Sequence, residues 1–295
     1  MTTVALIQAR LSSTRLPGKV LLSLAGRPVL EWVVRAAAAI PGVDRVAVAT
    51  SDRADDDVLA AWAAGYGVAC HRGPLDDVLG RFVLAARAEA ADVVLRLTAD
   101  CPLLDPQVCG QVLALLHRRG LDYAATAATW PDGLDCEAFS ASALEAAAAE
   151  AVAAPEREHV TPFLRDRRDR FRVGMLPCPQ PGLEGERWTL DEPHDFELLS
   201  GVVSLLPDTA RPPSHLEVLA ALAAQPDLRT RNGGIVRNEG AAKSWRDSPP
   251  PPWHGTARTA RWLERAERVI PLASQTFSKS RIQYPADSPL FLTHG

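Results

Sequence analysis

The segment Leu6–Leu22, LIQARLSSTRLPGKVLL, concentrates the residue types that bind a polyphosphate. Three cations, Arg10, Arg15 and Lys19, surround Ser12, Ser13 and Thr14, and Gly18 precedes the lysine. Small residues let backbone N–H groups approach an anion, and the cations neutralise its charge. Neither GxxxxGK[ST] nor GxGxxG is present, which removes the main support for a P-loop ATPase or a dinucleotide dehydrogenase. Two carboxylates complement the loop. Asp100 follows the apolar run Val93–Leu97, and Asp191 follows the strand-like Arg187–Leu190. Ligands of an open parallel sheet bind beyond the carboxyl ends of its strands. Two aspartates so placed can hold Mg²⁺, or Mn²⁺, against a triphosphate, because hard cations prefer oxygen ligands. A helix cap or a turn is the competing role for each, and Asp191 suits both, since a helical pattern begins near Pro193.

The elements that must position these groups follow from the apolar pattern. Val4–Ala9, Arg45–Thr50, Val68–His71 and Val93–Leu97 read as strands. Pro28–Ile40, Asp56–Ala64, Asp76–Ala90 and Asp105–Arg119 read as the helices between them. This alternation predicts an α/β fold with a mainly parallel, doubly wound sheet. Short strands mix with helices at Ser142–Val152 and Glu156–Asp166 in the stretch Asp122–Pro177, and helices at Pro193–Leu205 and Pro213–Ala224 follow. The chain has 295 residues, a net charge of −4, and 47% hydrophobic residues, ordinary values for a folded domain. Slight acidity argues against a nucleic-acid partner, and no apolar run reaches membrane-spanning length. Five cysteines without a CxxC pair favour a reducing, cytoplasmic setting over disulfides or zinc.

The motifs resemble those of cytidylyltransferases that activate acidic sugars, and of related spore-coat polysaccharide proteins. The matches run in family order: ARLSSTRLPGK, Ala49–Asp52, Arg72–Leu79, Arg96–Pro102, Gly133–Glu137, Glu156–Pro162 and Thr189–Pro193. The resemblance implies a Rossmann-like nucleotidyltransferase fold, of glycosyltransferase-A type, that transfers CMP from CTP to an acidic acceptor and releases pyrophosphate. It implies catalytic charge stabilisation by Arg10, Arg15 and Lys19, and a metal on Asp100 and Asp191. Nucleotide contacts would come from Ala9, Ser12, Ser13, Thr14, Gly18, Thr50, Ser51, Asp77 and Arg96. Acceptor contacts would come from Arg81, Asp135, Glu137, Arg157 and His159, and a homodimer is implied. Capping or ion pairing competes at Asp77 and Arg81, which are i,i+4 neighbours. Hydrogen bonding within the fold competes at His159, and a solvated turn competes at Asp135 and Glu137. Ala99 stands where the family usually has Gly, and His194 where an acid is common. A sugar-1-phosphate nucleotidyltransferase using another nucleotide, and a non-catalytic nucleotide-binding domain, are the competing functions.

After Pro226 the pattern loses its period, and the run Pro249–Pro252 reads as a spacer. The expected organisation is a cytidylyltransferase-like domain over 1–228, a linker over 229–255, and a further unit over 256–295. Few contacts should cross that boundary, so everything after Leu228 is expected to be dispensable for nucleotidyl transfer. Arg258–Gly295 resembles the start of a class III aminotransferase, which implies a longer bifunctional fusion. Its pyridoxal phosphate lysine is absent from these residues, so pyridoxal phosphate would belong to the missing part. An amino-bearing acceptor such as a small aminoalkyl phosphonate therefore stands beside nonulosonic and octulosonic sugar acids.

Overall fold

A computed structural model describes residues 1–235, 237 and 244–248. The first half of the chain builds strands β1 (Thr3–Gln8), β2 (Ser23–Leu24), β3 (Arg27–Pro28), β4 (Arg45–Ser51), β5 (Ala69–Gly73) and β6 (Val93–Thr98). Helices α1 (Val29–Ala38), α2 (Asp57–Tyr66), α3 (Val78–Ala88) and α4 (Pro106–Arg119) alternate with them. Then come β7 (Tyr123–Thr126), β8 (Glu137–Ser140), α5 (Ala141–Glu150), α6 (Ala154–His159), α7 (Pro162–Asp166), β9 (Val173–Leu176), α8 (Pro193–Leu205) and α9 (His215–Ala224). The main sheet has the order β5-β4-β1-β6-β8-β7-β9. Every pairing in it is parallel except those of β8, which runs antiparallel to β6 and to β7. The small β2–β3 hairpin lies outside it.

Chain order reverses at β1, whose partners are β4 on one side and β6 on the other. That switch point opens a crevice at the carboxyl ends of the central strands. It is held rigidly, because Val4, Ala5, Leu6 and Ile7 are all fully buried, with apolar side chains on both sheet faces. Local signals fix the flanking helices. The Asp105 carboxylate caps α4 by accepting from Gln107 N at 2.8 Å, Pro106 fills the first turn, and Gly120 ends it at φ 56°. Ser214 and Glu217 form a capping box on α9.

Two expected elements differ. The helix expected over Glu156–Asp166 is split into α6 and α7, with Val160 between them at φ 70°. Pro162 lacks the N–H that a continuous helix needs and instead opens the first turn of α7. Arg187–Leu190 is not a sheet strand. Its one parallel bridge joins Arg187 to Asp132, and Leu190 N donates to Asp100 O at 2.8 Å. Trp188 and Leu190 are fully buried with α8 and α9, so the apolar pattern reflects burial in that layer. Gly133 permits the approach: at φ +110° a Cβ there would lie 2.6 Å from the Trp188 carbonyl carbon. The expected linker falls partly within the described residues, where Asn232 is buried. The proline run and the aminotransferase-like stretch lie outside them.

Candidate active site

The loop leaving β1 turns back on itself before Lys19. Ser13 N and Gly18 N both donate to Leu11 O, at 2.8 and 3.0 Å, and Leu11 N donates to Asp56 Oδ1 at 2.8 Å. Gly18 takes φ 71°, a left-handed conformation that favours glycine, and a short 3-10 turn Lys19–Leu21 follows. Ser12, Thr14, Arg10 and Arg15 are exposed along this loop, Ser13 is half-buried, and Ala9 is buried at its base.

Lys19 is buried, and its ammonium is bridged by two carboxylates, Asp100 Oδ2 at 2.6 Å and Asp191 Oδ1 at 2.7 Å. Burial opposes the charge on Lys19, but Asp100 and Asp191 outweigh it and hold the ammonium above its ordinary value. Burial likewise opposes ionisation of Asp100, yet Lys19 and a Thr98 hydrogen bond hold it below the usual carboxylate range. Arg15 lies 3.0 Å from Asp191 Oδ2 and 3.5 Å from Glu192. The expected convergence of Asp100 and Asp191 thus occurs, although Asp191 arrives on irregular chain. The oxygen donors fit a magnesium ion that keeps waters or phosphate oxygens as its other ligands. Among the described residues no third His, Cys, Asp or Glu completes a metal-binding group.

Behind Asp191 lies a buried ionic network that sequence reasoning missed. Arg187 donates to Asp191 Oδ2 at 3.1 Å, to Asp132 Oδ2 at 2.6 Å, and to both oxygens of Asp195 at 3.0 Å. Burial alone would lower the Arg187 value, but Asp195 and Asp132 raise it. Asp195 Oδ2 also accepts from the backbone N–H of Asp191 and Glu192, at 2.8 and 2.9 Å. The signal was present as Arg and Asp four residues either side of Asp191.

A second polar group forms where β6 meets β8. Arg96 pairs with Glu137, its register partner, and donates to Gln8 Oε1 at 3.0 Å. Glu137 also accepts from Tyr123 and Thr161, each at 2.6 Å. His159 stands beside this group, and its Nε2 has no hydrogen-bond partner among the described residues. Burial pushes its imidazole below the ordinary value, and Arg96 and Arg10 add to that.

Other expected contacts are engaged within the fold. Asp77 caps α3 through Gly80 N at 2.9 Å and forms a bidentate pair with Arg157, at 2.9 and 2.7 Å. Arg157 also reaches Ala148 O and Ala151 O. The i,i+4 partnership of Asp77 with Arg81 gives way to that pair. Arg81 is 1% exposed and donates only weakly, to Leu75 O at 3.4 Å. Thr50 and Ser51 are fully buried, and the Ser51 hydroxyl donates to Asp56. Asp135 accepts from Gly133 N at 3.1 Å and from Arg237 at 2.6 Å. The structure therefore gathers Lys19, Arg15, Asp100 and Asp191 at one point, and Arg96, Glu137 and His159 at another. Among the described residues, no helix is long and apolar enough to cross a membrane.

Comparison with known proteins gives a consistent picture. The family profile described as cytidylyltransferase matches residues 4–199. The spore coat polysaccharide biosynthesis protein SpsF of Bacillus subtilis is 32% identical over 234 residues, 76% of this chain and 95% of that protein. The 3-deoxy-manno-octulosonate cytidylyltransferase of Maricaulis maris is 41% identical over 118 residues, 40% of this chain and 45% of its own length. The solved structure of a cytidylyltransferase from Leptospira borgpetersenii has a TM-score of 0.74 at 28% identity, covering 80% of this chain and 99% of that one.

Proposed function

The chain belongs to the cytidylyltransferase family, and from that premise we propose that it moves CMP from CTP to an acidic acceptor. It is a nucleotidyltransferase enzyme by family. The observation that carries the finer reading is the meeting of Lys19, Arg15, Asp100 and Asp191 at the carboxyl edge of the central strands.

In the proposed reaction an acceptor oxygen attacks the α-phosphorus in line. An O–P bond forms, the bond from the α-phosphorus to its bridging oxygen breaks, pyrophosphate leaves with the electron pair, and the proton of a hydroxyl acceptor passes to water. The protein's work is positioning and charge neutralisation. The exposed cations Arg10 and Arg15 neutralise the departing phosphates, and Lys19 contributes once its ammonium leaves the carboxylate pair. Backbone N–H groups of Ser12 and Thr14 approach the anion, while that of Ser13 is held by Leu11 O. Asp100 and Asp191 would hold Mg²⁺, which when bound supplies Lewis-acid stabilisation of phosphate charge.

The acceptor is an acid. Arg10, Arg96 and His159, whose Nε2 has no hydrogen-bond partner among the described residues, offer donors to its anionic group. The name of the Maricaulis relative, a 3-deoxy-manno-octulosonate cytidylyltransferase, supports an octulosonic sugar acid. The resemblance of Arg258–Gly295 to an aminotransferase supports a fused chain and an aminoalkyl phosphonate acceptor. The test is transfer with ¹⁸O in the acceptor hydroxyl, or phosphonate oxygens, followed by ³¹P NMR of the product. Retention of ¹⁸O bonded to the CMP phosphorus is expected. Label-free product would refute attack by the acceptor oxygen.

A further inference from the structure

Asn232 lies beyond residue 199, where the family match ends, in a stretch whose composition suggests a spacer. It is nevertheless 6% exposed, and both donor positions of its side-chain amide nitrogen are used. Nδ2 donates to Asp195 Oδ1 at 2.8 Å and to Arg187 O at 3.0 Å. These two partners fix Asp191. Asp195 holds the Asp191 N–H at 2.8 Å, and the Arg187 guanidinium holds Asp191 Oδ2 at 3.1 Å. That leaves Asp191 Oδ1 directed at the ammonium it shares with Asp100. Asp195 is fully buried, so its Oδ1 has no water to replace a lost amide. Farther along, Arg237 ties the opposing loop, donating to Trp130 O at 2.7 Å and to Asp135 at 2.6 Å.

We propose that Asn232 is a positioning residue of the cation site, acting through Asp195 and Arg187 to hold the Asp191 carboxylate in place. The inference rests on the role proposed for Asp191. It also extends the functional unit past Leu228, so that a chain cut before Asn232 loses part of its site.

The test is a cycle in the full chain: Asn232→Ala, Asp191→Asn and the pair together. Asn232→Asp is added because it keeps the volume and removes both donors. Each variant is melted first, so that kinetics are read on folded protein. For Asn232→Ala we expect a kcat loss of about tenfold with KM for CTP within about threefold, since geometry rather than nucleotide contact is disturbed. Electron paramagnetic resonance of Mn²⁺ with CTP should show about tenfold weaker ion retention. In the Asp191→Asn background the Asn232 effect should vanish. Asn232→Asp should be impaired at least as much, and this volume-preserving variant decides if Asn232→Ala does not fold. Wild-type kcat and Mn²⁺ retention in either folded variant would overturn the proposal. So would the same fold loss in both backgrounds, which marks a general structural role. A wild-type chain that neither turns over CTP nor retains Mn²⁺ with it would refute the underlying function instead.

Discussion

Replacing Lys19 by Met removes the cation from between two carboxylates and keeps most of the buried volume. Asp100 Oδ2 and Asp191 Oδ1 lie 2.6 and 2.7 Å from the ammonium. Without it, two like charges about 5 Å apart repel by about 3 kcal/mol at an effective dielectric of about 20. Arg15 and Arg187 still face Asp191, so a net loss of about 1–3 kcal/mol is expected near neutral pH. The pH dependence should also change sign. In the native chain Asp100 is held below the ordinary carboxylate range, despite burial, by Lys19. Its contribution is present above the unfolded value and is lost as pH falls through the folded value. In Lys19→Met burial and repulsion raise that carboxyl, so the variant gains stability relative to wild type as pH falls from about 8 to about 5. Urea unfolding of both proteins at the two pH values measures this. Turnover should fall about 10²-fold or more, since a phosphate-directed charge is lost. Equal stability of the two proteins at high pH, with parallel pH dependence, would refute the reasoning.

Gly133→Ala forces a Cβ to within 2.6 Å of the Trp188 backbone at φ +110°; a loss of about 2–4 kcal/mol is expected in urea unfolding, and a near-neutral result would contradict the packing. His159 is held below its ordinary value first by burial, then by Arg96 and Arg10. Its contribution is present above about pH 6.5 and lost as pH falls through the lower folded value. His159→Gln should therefore lose less stability than wild type between about pH 7 and about pH 5, and identical slopes would count against it. Asp77→Ala removes a cap and a bidentate partner of Arg157; about 1–2 kcal/mol of stability should go, while CTP affinity by calorimetry stays within about threefold. Weakened CTP binding at unchanged stability would return Asp77 to the nucleotide.

The parts of the fold legible in the sequence were those whose pattern has one physical cause. Val93–Leu97 reads as a strand buried on both faces and is one, within β6. Asp100 could be placed because it follows that strand, and Lys19 because the loop before it is rich in small and cationic residues. Trp188 and Leu190 alternate with Arg187 and Thr189 as strand residues do, but are buried with α8 and α9, not by the sheet. Burial periodicity alone does not distinguish the two. The pairing of Asp77 with Arg157 joins residues 80 apart in sequence, and no local spacing reveals it. Asn232 was hidden for a further reason: a single buried amide in Gly-bearing, aperiodic chain has no sequence signature.

The most direct test of the central claim is pyrophosphate release with CTP, UTP, GTP and ATP, each crossed against octulosonic and nonulosonic acids and a small aminoalkyl phosphonate. The assay is run with Mg²⁺ and again in chelator, on wild type and Asp100→Asn. Release is expected with CTP and an acidic acceptor, dependent on a divalent ion, and reduced about 10²-fold or more by the substitution. Equal turnover of all four nucleotides, full activity in chelator, or undiminished turnover in Asp100→Asn would contradict it.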